Sequence, residues 1–197
     1  MISLDEVEVL VVGSGSMGAS LAQAFAQNGV MTGLIGRRRE SLERAQAFIG
    51  HSLDEAVDKG IFSAPQTEEI RNRIFSGLDL EGSCRGRNLR LVIESVSESL
   101  VLKKELFNWL DEFCAPGVVL ASNTSCLDAE AIAAETRSPE RVVWLHFFFP
   151  AHKNWAAEYA ALQKTTPSSL EIARDYLSRA RRAAFRLHRF RKGGAAN

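Results

Sequence analysis

A chain of 197 residues, 46% hydrophobic and without a long apolar run, fits one full α/β domain with a little to spare and excludes a transmembrane helix. Its net charge is zero, and neither a nucleic acid nor a membrane is an expected partner. Three widely spaced cysteines, Cys84, Cys114 and Cys126, form no C-x-x-C pair, which favours free thiols in a reducing cytoplasm over disulfides or a metal site.

Met1 to Glu8 are acidic and lack both an apolar core and arginine, so neither a secretory signal nor a mitochondrial transit peptide is expected. Val7 to Val12 reads as a strand buried on both faces. Gly13-Ser14-Gly15-Ser16-Met17-Gly18 follows at once. Gly13 permits a tight exit turn, Gly15 lets backbone approach a pyrophosphate, and Gly18 allows close helix–strand packing. Ala19 to Asn28 reads as a helix stopped by Gly29, with its free N–H groups toward the phosphates. Val30 to Ile35 is a second strand. A glycine-rich turn without a ligand is the competing reading, but strand, turn, helix and strand in this order point to a dinucleotide.

After the second strand stand Gly36, Arg37, Arg38 and Arg39. An NAD site usually places an Asp or Glu there for the ribose hydroxyls, and Gly36 cannot serve. Three arginines could instead meet the 2′-phosphate of NADP, although they could equally open the next helix as a polar loop. The chemistry leans to NADP.

Ser41 to Lys59 is a helical stretch interrupted at Gly50 and ended by Gly60; Pro65 opens a shorter helix to about Asn72, completing a helical hairpin. Arg73 to Leu80 reads as a strand and Leu78 to Asn88 as a loop. Leu89 to Val96 is another buried strand, and Glu98 to Phe113 an amphipathic helix. Val118 to Ser122 is a strand ending in Asn123-Thr124-Ser125; Leu127 to Glu135 is a helix begun near Asp128; Arg141 to Phe148 is a further strand. Thr166 to Arg182 reads as a helix and Ala184 to Phe190 as an edge strand. Residues 171–197 hold eight basic side chains against Glu171 and Asp175, most at helical or alternating spacing, which fits a solvated face better than a nucleic-acid surface. The alternation predicts a doubly wound, mainly parallel Rossmann-type α/β sheet with a helical-hairpin insertion, spanning residues 1–190. Ligands in such sheets bind at the carboxyl ends of strands, where Gly13, Arg37, Ser122 to Ser125 and His146 fall.

Ser125, His146 and Glu158 are the candidate reacting groups. An imidazole can accept a hydroxyl proton near neutral pH, since its unperturbed pKa is about 6.5. A carboxylate on the second ring nitrogen fixes the tautomer, and a serine can hydrogen-bond the substrate oxygen. With a dinucleotide this supports oxidation of an alcohol by hydride transfer. His152 is an alternative base, His146 could be a packed core residue, Ser125 could cap a helix, and Glu158 could be an ordinary strand residue. A hydrolase fits less well, because Ser125 lacks a G-x-S-x-G elbow.

From Glu8 to about Glu158 the chain resembles the NAD-binding domain of the 3-hydroxyacyl-CoA dehydrogenases of fatty-acid β-oxidation. The resemblance is carried by the turn at 13–18, by Val92-Ile93-Glu94-Ser95-Val96 running to Lys103-Lys104-Glu105-Leu106-Phe107, by Ala121-Ser122-Asn123-Thr124-Ser125, and by Arg141-Val142-Val143 through Leu145-His146-Phe147-Phe148. It implies oxidation of a 3-hydroxyacyl-CoA, with His146 as general base, Glu158 as its partner and Ser125 as the oxygen-binding serine. It implies that Glu98 and Lys103 contact the cofactor and that Ser52 and Lys59 contact coenzyme A. Four departures stand out. Gly36 replaces the acidic ribose partner, and Phe149 replaces an asparagine. Asn154-Trp155-Ala156-Ala157 replaces a Met-Lys-Leu-Val run. Lys192 to Asn197 replaces a Pro-Gly-Phe turn, with Asn197 at the site asparagine. Residues 191–197 would begin a linker to the family's all-helical substrate and dimerisation domain, which does not follow. Weak or absent turnover is therefore expected of the chain alone, and a dinucleotide-binding module without catalysis is the second reading. A β-hydroxyacid dehydrogenase of another branch fits less well, since those enzymes generally use a lysine base. Exposed apolar surface around Tyr159, Leu162, Tyr176 and Leu177 would favour self-association into a homodimer.

Overall fold

The computed structural model describes residues 3–187. Eight strands form one sheet: β1 (Val9–Val12), β2 (Thr32–Ile35), β3 (Ile74–Gly77), β4 (Leu91–Glu94), β5 (Val119–Ser122), β6 (Val142–Phe147), β7 (Ala156–Ala161) and β8 (Ala183–Arg186), in the order β3-β2-β1-β4-β5-β6-β7-β8. All neighbours are parallel except β6 and β7. The chain therefore winds outward from β1 in one direction, returns, and winds outward from β4 in the other. The crevice between β1 and β4 is the switch point where such sheets bind ligands.

Alternate residues of the inner strands feed two cores. Val9, Val11, Leu91 and Ile93 pack on one face against α1 (Ser16–Ala26), α2 (Arg39–Asp58) and α7 (Pro167–Arg179). Leu10, Val12, Val92 and Leu120 pack on the other against α4 (Leu80–Cys84), α5 (Leu100–Phe113) and α6 (Ala129–Ala133). Both faces are covered, which is why these strands are apolar throughout. α3 (Ala64–Asn72) pairs with α2 as the expected hairpin, and a Ser63–Gln66 capping box starts it. Arg141, buried at the entry to β6, binds the Asp111 carboxylate at 3.0 and 2.9 Å and donates to the Ala115 carbonyl at 2.6 Å, tying β6 to the end of α5. Among the described residues no helix is long and apolar enough to cross a membrane.

Several expectations need correction. α2 runs unbroken through Gly50, where the Arg71 guanidinium of α3 lies over the missing side chain and donates to the Gly50 carbonyl at 3.3 Å. The polar stretch after β3 contains α4, capped by the Asp79 carboxylate on the Gly82 N–H at 2.9 Å. Tyr159, Leu162, Tyr176 and Leu177 are not exposed: all four are buried, since β7 is paired on both sides and α7 folds over it. The exposed large apolar side chains include Trp155, at 76%, and Phe149. Asn197, the 191–197 linker and the last residues of the expected edge strand lie outside the described residues.

Candidate active site

The glycine turn is shaped by contacts that admit no side chain. Gly13 has φ +120°, and a Cβ there would stand 2.3 Å from the Ser95 carbonyl oxygen at the end of β4. A Cβ on Gly18 would stand 1.7 Å from the Gly13 carbonyl oxygen, so only glycine lets α1 close on the turn. Around Gly15, by contrast, the space is open. Among the described residues no side chain caps α1, and its first turn holds no acidic residue. Ser14, Ser16 and Met17 lie at least partly exposed beside it. A cradle of this kind, with free amides and room for backbone approach, fits the pyrophosphate of a dinucleotide.

On the other side of the crevice, His146 and Glu158 face each other across the antiparallel β6–β7 pair. The imidazole Nδ1 lies 3.1 Å from Glu158 Oε2, and Nε2 lies 3.3 Å from Ser125 Oγ. The ring is 19% exposed. It is steadied by stacking with Trp144, 5.7 Å between centroids, and by Phe148 at 4.7 Å. Trp144 Nε1 in turn donates to the Thr124 carbonyl at 2.8 Å, and Asn123 Oδ1 accepts from the Phe147 N–H at 3.0 Å. The Asn123-Thr124-Ser125 loop is thus fastened to β6 from both sides of His146.

The same loop is held from β4 and α5. Glu98 Oε1 accepts from the Thr124 hydroxyl and, at 3.0 Å, from the Ser125 N–H. Glu98 Oε2 lies 2.9 Å from Lys103 Nζ, which also meets both oxygens of Glu94 at 2.7 and 2.9 Å. Ser122 and the Val96 N–H complete the shell of Glu94 at 2.9 and 2.8 Å. Glu94 and Lys103 are fully buried. Burial raises the Glu94 carboxyl above its ordinary range, opposed by the charge and hydrogen bonds of Lys103. Burial also pushes Glu98 upward, but hydrogen bonds from Thr124 and Lys103, with the lysine charge, outweigh it and hold that carboxyl low. Sequence reasoning named Glu98 and Lys103 and set Ser122 to Ser125 at the ligand-bearing rim, but gave Glu94 no role of its own. A glutamate in an otherwise apolar strand, nine residues before a lysine, was the available signal.

The description "3-hydroxyacyl-CoA dehydrogenase, NAD binding domain" matches residues 8–189. The chain belongs to that family. It is similar to 3-hydroxyadipyl-CoA dehydrogenase of Escherichia coli K12, 41% identical over 143 residues, covering 73% of this chain and 30% of that protein. It is also similar to 3-hydroxybutyryl-CoA dehydrogenase of Clostridioides difficile, 33% identical over 144 residues, covering 73% of this chain and 50% of that one. Among solved structures, 3-hydroxybutyryl-CoA dehydrogenase from E. coli K12 superposes with a TM-score of 0.84 at 35% identity, covering 91% of this chain and 38% of its own. FadB2 of M. tuberculosis superposes at 0.89 with 29% identity, covering 94% and 65%. The chain thus spans half or less of the length of the two curated relatives.

For this member of the dehydrogenase family, Ser52 and Lys59 lie apart from the cluster. Ser52 is buried, its hydroxyl 2.9 Å from His152 Nε2 and accepting from Gln23 Nε2 at 3.1 Å. His152 Nδ1 lies 2.9 Å from Ser20 Oγ, so both ring nitrogens are engaged between α1 and α2. Lys59 is exposed at the end of α2, 3.4 Å from Glu55. Burial, with the charges of Lys153 and Arg182, lowers the His152 pKa to about 4, opposed by Glu55. The fold therefore favours the neutral ring while the unfolded chain protonates near 6.5. His152 contributes stability that is complete above about pH 6.5 and is lost as pH falls toward 4. Urea midpoints measured from pH 7 to 4.5 should fall in the wild type and flatten in His152→Gln.

Proposed function

We propose that the chain supplies the dinucleotide-binding and proton-abstracting part of an oxidoreductase that converts a 3-hydroxyacyl-CoA to its 3-keto form. The observation that carries this reading is His146 held between Glu158 and Ser125 at the carboxyl rim of the sheet, across the switch-point crevice from the glycine turn. Glu158 favours the tautomer with its proton on Nδ1, which leaves the Nε2 lone pair toward the open side. His146 Nε2 would take the hydroxyl proton as the C–H bond releases hydride and the carbonyl forms, and Glu158 would stabilise the resulting imidazolium. Ser125 would donate its hydroxyl hydrogen to the substrate oxygen. A bound nicotinamide dinucleotide supplies the hydride acceptor. Gly36 and the arginines beyond it favour NADP over NAD.

The fit of Lys59 to a coenzyme A phosphate belongs to the same proposal; Ser52, with its hydroxyl held by His152, would have to turn outward to join it. Phe149, 53% exposed where the family has a polar side chain near the cofactor, favours the second reading, a binding module without useful turnover. Reduction of each dinucleotide by a short 3-hydroxyacyl-CoA separates the two. The proposal expects a rate above that of His146→Ala even where turnover is slow; equal rates would leave the binding module.

A further inference from the structure

Resting on the dinucleotide reading above, we infer that the adenosine end of this site is built to seat a 2′-phosphate, with Arg37 and the Ser14–Ser41 hydroxyl pair as the groups that distinguish the phosphorylated ribose from the plain one. The first observation is steric. Position 36 follows β2 directly, its N–H donating to the Gly77 carbonyl at 3.1 Å. A Cβ there would stand 2.5 Å from Ser14 Oγ, 3.0 Å from Ser14 Cβ and 2.8 Å from Leu42 Cγ. An aspartate or glutamate is thus excluded from the position that usually accepts from the ribose hydroxyls, unless Ser14 moves.

Hydroxyls fill the place of the carboxylate. Ser14, in the phosphate-binding turn, donates to Ser41 Oγ at 2.8 Å, and Ser41, in the first turn of α2, donates to the Arg38 carbonyl at 2.7 Å. The pair bridges the turn to the rim of β2, where a ribose attached to a pyrophosphate over that turn must pass. Next to it, Arg37, Arg38 and Arg39 are all exposed, and none pairs with a carboxylate among the described residues. The hairpin arginines farther along, Arg71 and Arg73, are by contrast paired with Asp54 and Glu69 at 2.7 and 3.2 Å.

A phosphate brings two negative charges and acceptor oxygens that match a guanidinium fork and reoriented hydroxyls, so neutral hydrogen bonds are exchanged for charge-assisted ones. A plain 2′-hydroxyl would find only the neutral serine oxygens as side-chain acceptors and would gain nothing from the guanidinium charge. Glu40, exposed in the same turn, is the acidic group that could compensate. Coenzyme A carries a phosphate at the neighbouring 3′ position of its own adenosine, so the same groups must be tested against both.

The experiment is calorimetric titration of the full chain with ADP-ribose, 2′-phospho-ADP-ribose and adenosine 3′,5′-bisphosphate, which need no turnover. The inference expects 2′-phospho-ADP-ribose to bind at least about tenfold tighter than ADP-ribose at low salt, an advantage that shrinks with salt. Arg37→Ala and Ser41→Ala should each reduce that ratio, through the phosphorylated ligand. Equal affinity for the two riboses, a ratio indifferent to both substitutions, or tighter binding of the 3′,5′-bisphosphate would overturn it. So would loss of ADP-ribose binding in Glu40→Gln, which would assign the ribose to that carboxylate. Failure of every ligand to bind would remove the dinucleotide reading itself, a result distinct from binding without preference.

Discussion

His146→Ala is expected to lower the rate of 3-hydroxyacyl-CoA oxidation by about 10²–10⁴-fold while leaving dinucleotide affinity within a factor of about two. The separation follows from the architecture. The turn that would hold the pyrophosphate is built from β1, α1 and the end of β4, whereas His146 stands on β6 and reaches its partners on β7 and the loop after β5. Removing the imidazole deletes the proposed proton acceptor without touching the amides. Glu158→Gln keeps the ring but weakens the preference for the Nδ1–H tautomer, so its rate should fall between wild type and His146→Ala. Kinetics of dinucleotide reduction paired with calorimetry check both halves. A His146→Ala protein with unchanged rate, or with lost binding, contradicts the assignment.

Lys103→Met should cost about 3–5 kcal/mol of stability, read as a lower urea midpoint. The ammonium lies between Glu94 and Glu98, and its loss leaves a fully buried carboxylate without a countercharge. Glu94 then gains a proton or water must enter, and either result works against the packing of β4 on α5. The double variant Glu94→Gln/Lys103→Met removes both charges and should recover much of the loss, since a neutral pair needs no compensation. It should not recover the rate, because Glu98 would still lack the lysine that braces it beneath Thr124 and Ser125. Recovery of both properties together would mean that the buried group serves stability alone. Recovered stability without recovered rate would instead assign Lys103 a positioning role under the serine loop.

How much of this was legible in the sequence varies with how local the cause is. The β1–turn–α1 unit was readable because its apolar run and glycines are consecutive; Gly13 and Gly18 answer to backbone contacts with the end of β4 and within the unit, and Gly15 leaves the space open. The His146–Glu158 pair could be named from family spacing, but an antiparallel register had to bring the two together, and the sequence set no bounds for the strand around Glu158. Ala156-Ala157-Glu158-Tyr159-Ala160-Ala161 lacks the β-branched residues that mark a strand, and pairing on both sides supplies what its propensity does not. Gly50 read as a break because the covering Arg71 comes from another helix. The burial of His152 between Ser20 and Ser52, with both nitrogens occupied, was likewise invisible in the sequence, because its partners come from two separate helices. The burial of Tyr159, Leu162, Tyr176 and Leu177 is a tertiary result of β8 and α7 closing the sheet edge, and no local pattern announces it.

The central claim, that a nicotinamide ring bound through this turn comes to His146, is tested most directly by NMR of the histidine imidazoles, assigned with His146→Gln, during titration with the oxidised dinucleotide and with ADP-ribose. Both ligands should shift the amides of Gly15 and Gly18. Only the complete dinucleotide should shift the His146 ring, while His152 stays unmoved. A His146 resonance indifferent to the nicotinamide, with the glycine amides responding, would contradict the account.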